Sequence, residues 1–560
     1  MTTSPARGRR FVSAIAALFP SRADYAHAGR TWRGDLIAGI TVGIVALPLA
    51  LGFGVSSGLS AEAGLITAVV AGFIAAVFGG SHVQVSGPTG AMVVVLVPIV
   101  AIHGPGAVVT VALMAGVIVI AAGVLRLGRA VSFIPWPVIE GFTLGIAVII
   151  FAQQIPLLTS AHTARADEHS SNALVAAVQA LAGADLGYLL WALGAAAIVV
   201  ACMLLLPRLH PAIPGSLIGI AVVAVLALVL PTPLATIGTL PSSLPAPALP
   251  NLDPALLSHL LLPAVTVAAL AAIESLLSAR VAASMADTGP YDPDRELFGQ
   301  GLASVGASLF GGMPATGAIA RTAVNIRSGG RSRIASAFHA VVLLLVVLVA
   351  SGPVGSIPLA ALAGVLMLTA VRMVHRDTVR AILRSTRADA VAFVLTAVIT
   401  VSFDLIVAVI IGVVFAGVLA LRSLSRASGV HREEIAGERH AGDERIAIIR
   451  FDGPLFFAGA DRIFAQVQSL KGVSVVILRM SQLELLDATG ARILGDIVQS
   501  LERRGVTVLI KGVQARHEDL MRTVGVLRSL RHANHLFAEL PPAIEHARSH
   551  IRREPEGRTA

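Results

Sequence analysis

Ser86-Gly87-Pro88-Thr89-Gly90-Ala91 and Gly312-Met313-Pro314-Ala315-Thr316-Gly317-Ala318 nearly repeat each other, and the reading of this chain turns on them. Each closes one apolar run and leads into another. Proline suits the first turn of a helix, where there is no intrahelical N–H bond to lose. The Gly and Thr that follow leave backbone N–H groups free to face a ligand. Such a helix start carries partial positive charge and binds anions. Interrupted spans at matching places in two halves of a chain point to a secondary-transporter site. The expected function is anion transport.

Composition agrees. The chain has 560 residues, 55% of them hydrophobic and 13% charged, with mean hydropathy +0.82. A soluble chain of this length has no means of hiding that much apolar surface. Aromatic residues are only 4%, so small and aliphatic residues fill the spans and allow close helix packing in lipid. The net charge of +9 does not point to nucleic acid. Its arginines cluster in short loops between apolar runs, as the positive-inside rule requires. The single cysteine, Cys202, lies in an apolar run and excludes disulfides and cysteine metal sites. The stretch Phe11 to Pro20 is too short and mixed for a signal peptide, so the first span is expected to act as an uncleaved anchor.

Apolar spans fall at about 35–58, 60–80, 106–125, 136–153, 187–206, 213–230, 258–283, 295–311, 330–351, 353–373, 387–402 and 404–422. Two shorter, broken spans at about 83–102 and 313–326 begin at the two proline motifs, giving about fourteen in all. With the N-terminus inside, the expected inner loops carry Arg126, Arg129, Arg208, Arg280, Arg295, Arg327, Arg331, Arg333, Arg372, Arg376, Arg380, Arg384 and Arg387. The outer loops carry almost none, Arg165 being the main exception. Both termini are then cytoplasmic, in the inner (plasma) membrane. Each broken segment is third in a group of about seven spans, the arithmetic of an inverted repeat with the substrate near the bilayer midplane. Near Arg422 acidic and basic residues rise. Strands are expected at Ile446–Phe451, Val473–Leu478 and Val506–Ile510, and helices at Ala488–Arg504 and His517–Leu527. The expected division is an N-terminal segment 1–33, a transmembrane domain 34–424, a linker 425–443, an α/β domain 444–552 and a disordered tail 553–560.

Glu274 sits in mid-span, where an unpaired charge costs about 2.5–3.5 kcal/mol or more. It reads as an ion- or proton-coupling carboxylate, or else as a protonated structural acid; it is the one acid placed deep in the core. Ser278 follows four residues on and shares its face. Arg321, about two turns beyond Pro314, is either a fixed positive charge beside the anion or a side chain snorkelling near the inner surface. One helix start supplies about 0.3–1 kcal/mol, and up to about 2 when partly buried. Desolvating a dianion costs several kcal/mol per ion, so the site has use for Arg321. Were Glu274 close enough to pair with Arg321, protonating the acid would release the charge to hold the anion. Glu140 reads as a rim residue and Asp404 as a helix cap. His82 and His103 lie near span ends, with little to suggest metal ligation. No metal site, cofactor, nucleophile–base pair or nucleotide loop is recognisable, so an enzyme is not expected.

The chain resembles the sulfate permease (SulP) family of anion transporters, the bacterial relatives of prestin. The resemblance rests on Ala46-Leu47-Pro48-Leu49-Ala50, Val85-Ser86-Gly87-Pro88-Thr89, Ala272-Ile273-Glu274-Ser275-Leu276-Leu277, and Phe310-Gly311-Gly312 through Ala320-Arg321. It implies a polytopic α-helical membrane protein with a seven-plus-seven inverted repeat, core and gate subdomains, an elevator-like motion and a homodimer. The C-terminal region resembles a STAS domain. The implied anion site is Phe53, Thr89, Gly90, Thr316, Gly317, Ala318 and Arg321, with Glu274 and Ser278 as the coupling pair. Glutamate at that position resembles proton-coupled members, and aspartate the members read as sodium-coupled. Ala318 and Ala320 replace serines of prestin-like members. In the STAS motif Asp487-Ala488-Thr489-Gly490 the phosphorylatable serine is absent, leaving Asp487 and Thr489 as the regulatory candidates. The expected partners are a small anion, a coupling proton (sodium less favoured), membrane lipid, a second copy of the chain and a cytoplasmic protein at the STAS domain. Proton-coupled symport with sulfate is the first reading, with a C4-dicarboxylate or bicarbonate as alternative substrates. A passive channel or an anion sensor is the competing class.

Overall fold

The computed structural model describes residues 18–25, 28–129, 135–159, 172–209, 213–240, 242–402, 411, 414–415, 417–419, 421, 429–436, 438, 440–456 and 460–553. Most of the expected span 404–422 lies outside these residues, as do Asp404, Arg165, Arg422 and residues 554–560. The chain divides into two compact units, one ending at Val413 and one beginning at Val414.

The first unit is helical. Its helices are α1 (Ala28–Ser56), α2 (Ala61–Phe78), α3 (Gly90–His103), α4 (Pro105–Val124), α5 (Trp136–Gln153), α6 (Ile155–Leu158), α7 (Ala173–Ala182), α8 (Leu186–Leu209) and α9 (Gly215–Val229). They continue with α10 (Pro254–Met285), α11 (Pro293–Leu309), α12 (Ile319–Arg327), α13 (Arg333–Gly355), α14 (Leu359–Met373), α15 (Arg376–Leu383) and α16 (Arg387–Ser402). Eight apolar helical stretches among the described residues are long enough to cross a membrane. Two short strands, β1 (Ser86–Gly87) and β2 (Thr316–Gly317), interrupt the helices.

Local chemistry sets several helix starts. Ser60, Asp253, Asp292 and Ser332 accept hydrogen bonds from the first backbone N–H groups of α2, α10, α11 and α13. Pro254 and Pro293 occupy the first helical position behind their aspartate caps. One apolar cluster joins α1, α2, α8, α9, α13 and α14, and another joins α3, α4, α5, α10 and α11. Small residues permit the contacts between helices. A Cβ on Gly64 would collide with the Ala50 carbonyl of α1, and one on Gly301 would lie 2.6 Å from the Gly116 carbonyl of α4.

The proline motifs do not open helices as expected. Pro88 lies two residues before α3, and Pro314 five before α12. The two motifs pair with each other, Ser86 opposite Gly317 and Gly87 opposite Thr316, antiparallel, with β1 just before Pro88 and β2 between Pro314 and α12. The pairing holds Thr316 and Gly317 extended and delays α12, while the extended Thr89 separates Pro88 from α3.

The second unit is an α/β sheet. Its elements are β3 (Gly429–Glu433), β4 (Ile446–Leu455), α17 (Ala460–Gln468), β5 (Val475–Arg479), β6 (Leu483–Leu486), α18 (Ala488–Arg503), β7 (Thr507–Lys511), α19 (Ala515–Val524), β8 (Leu536–Phe537) and α20 (Leu540–Arg553). The strand order is β3-β4-β5-β7-β8, with β6 also on β4; only β3 runs antiparallel. One apolar cluster lies under α17, α18 and α19, and a smaller one under α20. The stretch read as a linker therefore already holds a strand, because Val430 and Arg432 extend the ladder of β4. β6, β8, α17 and α20 were also not anticipated.

Candidate functional site

The β1–β2 pair brings the two motifs together and aims the starts of α3 and α12 at one region. The first N–H groups of any helix have no intrahelical partner. Here the residues before the helices, Thr89 and Ala318, make no side-chain cap to them. The hydroxyl of Thr89 is directed elsewhere, to Glu274. Glu274 Oε2 accepts hydrogen bonds from Thr89 Oγ1 at 2.9 Å and from Thr316 Oγ1 at 2.8 Å. The two hydroxyl oxygens are themselves 3.0 Å apart. A carboxylate from α10 thus joins one threonine from each motif. Both threonines are buried and Glu274 is half-buried.

Arg321 reaches across the interface. Its Nη2 donates to the Pro88 carbonyl at 2.6 Å, while Nη1 has no hydrogen-bond partner among the described residues. The side chain is 2% exposed, which excludes snorkelling to a surface. Close approach explains Gly87: its φ is +151°, and a Cβ there would lie 2.8 Å from Arg321 Nη1. At the start of α3, a Cβ on Gly90 would collide with Ile150 and lie 3.3 Å from Phe53 Cε1, so the Phe53 ring packs beside the start of α3. Ala318 is buried, whereas Ile319 and Ala320 are exposed, so the start of α12 is open on one side. The residues of the site offer two helix starts, two hydroxyls, one guanidinium and one carboxylate, a set suited to holding a small anion beside a proton acceptor.

Three expectations need correction. Glu274 and Arg321 form no direct ion pair among the described residues, because the carboxylate is taken by the threonines and the guanidinium by a carbonyl. Ser278 does not serve Glu274 either; its hydroxyl lies 3.5 Å from that of Thr322. Nor is Glu274 the one deep acid. Glu296 is 1% exposed and accepts from the backbone N–H groups of Gly80 at 2.8 Å and Ser81 at 3.1 Å. Asp35 is buried and accepts from the Arg331 and Ser332 backbone at 2.7 and 3.0 Å. Both acids close turns rather than face the anion region. Glu140 accepts a 3.1 Å hydrogen bond from Trp136 one helical turn earlier.

Sequence reasoning missed the residues that hold the strands in place. Gly317 N–H donates to Ser275 Oγ at 3.1 Å, Val85 N–H to Thr322 Oγ1 at 3.0 Å, and Gln84 Nε2 to the Ser275 carbonyl at 3.3 Å. Gln300 Nε2 donates to Ser86 Oγ and to Glu296 Oε1. Polar residues in apolar runs at Ser275, Gln300 and Thr322 were the available signal.

In the second unit Asp487 caps α18, accepting from Gly490 N–H at 2.7 Å. Ala488 and Thr489 are exposed on its first turn.

Residues 32–396 match the model of the sulfate permease family, and residues 440–542 that of the STAS domain. YvdB of Bacillus subtilis (strain 168), provisionally named a sulfate transporter, is 36% identical over 506 residues, covering 89% of this chain and 94% of its own. The bicarbonate transporter BicA of Picosynechococcus sp. is 31% identical over 517 residues, covering 86% and 89%. Among solved structures, the transmembrane domain of a cyanobacterial BicA superposes with TM-score 0.59 at 33% identity, covering 69% of this chain and 97% of that one. The murine Solute Carrier 26 family member A9 anion transporter in its inward-facing state gives TM-score 0.80 at 17% identity, covering 98% and 96%. The latter shows the fold.

Proposed function

The chain belongs to the sulfate permease family and carries a STAS domain, and from that premise we propose that it is a proton-coupled symporter of a small oxyanion. It is an anion transporter of a multi-pass membrane family, not an enzyme. The observation that supports coupling is the shared grip of Thr89 and Thr316 on Glu274 Oε2. Each threonine has one hydroxyl proton to donate. An ionised Glu274 draws both protons to itself, and its charge repels an anion. A protonated Glu274 is a donor, so it turns toward a threonine oxygen and frees a hydroxyl proton for the substrate. Proton and anion then bind together, next to the unpartnered Nη1 of Arg321. The antiparallel meeting of β1 and β2 supports two halves of opposite orientation.

Sulfate and bicarbonate are the substrates to test first, since relatives named for each match along most of the chain. The dicarboxylate reading rests on sequence pattern alone. The full chain in proteoliposomes, given labelled sulfate or bicarbonate, is expected to accumulate one of them against its gradient when the outside is made acidic. Flux that only dissipates an anion gradient, with no response to an imposed pH difference, means a channel; binding without flux means a sensor. The family fold also supports a homodimer in the plasma membrane with both termini in the cytoplasm.

A further inference from the structure

Three histidines of the α/β unit converge far along the sequence from the anion site. His546 and His550 are four residues apart on α20, hence on one face. His535 lies in the turn just before β8. One ring nitrogen from each of the three lies within 4.8 Å of the other two. We propose that His535, His546 and His550 form a binding site for a divalent transition metal of the zinc type.

The geometry is specific. Two imidazoles bound to tetrahedral zinc at about 2.0–2.1 Å stand about 3.3 Å apart at their nitrogens. His546 Nε2 and His550 Nε2 are 3.3 Å apart. His535 is 2% exposed, and its Nδ1 is enclosed without a hydrogen-bond partner among the described residues. A buried, unpartnered acceptor is costly unless something takes its lone pair, and a cation does so. Three imidazoles with water in the fourth position suit zinc, cobalt, nickel or copper, and not the hard cations magnesium or calcium. Arg531 and Arg553 place positive charge near His550. They oppose a cation, so affinity rests on the three ligands.

The competing explanation is an aromatic cluster. His546 also packs on Phe537, with ring centroids 5.4 Å apart, and the three imidazoles stand edge to face. The two accounts differ in what added metal does. The full chain is purified in detergent, stripped with a chelator and titrated with Co²⁺. The site predicts stoichiometric uptake with the visible absorption of low-coordinate cobalt, displaced by Zn²⁺ and unaffected by Mg²⁺. Zn²⁺ should also raise the unfolding temperature of the α/β unit, since a ligand that binds only the folded state stabilises it. His546→Gln with His550→Gln should weaken Co²⁺ binding by about 100-fold, the upper end of losses caused by altering even the outer partners of a metal ligand. His431→Ala, at an exposed position on β3, should leave it unchanged. His535→Ala risks a cavity, so the two surface-side glutamine changes carry the test. Cobalt uptake that survives the double change, or no stoichiometric uptake by the unaltered chain, overturns the proposal.

Discussion

Glu274 is joined to both halves of the site by a single oxygen, which makes its charge state the variable that the rest of the site reads. Glu274→Gln keeps an oxygen that accepts from Thr89 and Thr316 but does not ionise. It is expected to fold and to transport with a flat pH profile. Initial uptake rates measured from about pH 5.5 to about 8 check this. An unchanged profile would remove Glu274 from the coupling step. Arg321 is the buried cation of the site. A hydrogen bond to a charged group is worth about 1.5–3 kcal/mol, so Arg321→Ala should raise KM by roughly ten- to a hundredfold. Vmax should change less, and divalent anions should suffer more than monovalent ones, because the lost attraction scales with charge. Equal losses for both charges would assign Arg321 to holding the Pro88 carbonyl alone.

At the scale of elements, the pairing of β1 with β2 decides where α3 and α12 begin and where Arg321 points. Gly87→Ala tests that link without touching a ligand group. Its Cβ would stand 2.8 Å from Arg321 Nη1 and displace the guanidinium. The expected result is a several-fold rise in KM, of the same sign as Arg321→Ala and smaller, together with a lowered melting temperature from backbone strain at φ +151°; KM for sulfate or bicarbonate uptake reads the first. The long helices were legible in the sequence because each apolar run is continuous for a membrane's thickness. Glu274 and Arg321 were legible because charge stands out in such runs. The β1–β2 ladder was not, since two residues carry no periodicity and their pairing is set by contacts more than two hundred positions away in sequence. The proline positions were misread for the same reason. In the α/β unit β4, β5, β7 and α18 followed from their apolar patterns. α20 did not, because Leu540-Pro541-Pro542 reads as a turn and charged residues fill the helix behind it.

Over the whole molecule, the boundary between the two units has an experimental consequence. β3 is hydrogen-bonded along β4 from Gly429 to Glu433, ahead of the residues that match the STAS model. A chain ended before Gly429 should retain its anion site and elute from size exclusion in detergent as one symmetrical peak. A chain ended at His440 keeps β3 without its partner, and an unpaired strand edge promotes association. It should show a larger aggregated fraction at equal concentration. Identical elution of the two would show that β3 is not held by the sheet.

The distance along the chain between Thr89 and Thr316 is 227 residues. At about 5–20 residues per second of synthesis, the first threonine waits about ten to forty-five seconds for the second. Throughout that interval β1 has no ladder partner, Thr89 lacks its neighbour, and the Pro88 carbonyl has no guanidinium. Glu274 emerges before Thr316 as well. The ribosome therefore delivers a half-built polar centre into or beside a bilayer, where unsatisfied groups are most costly. Arrested chains shorter than about 320 residues should therefore crosslink through residues 85–91 to insertion factors from which the finished chain has been released.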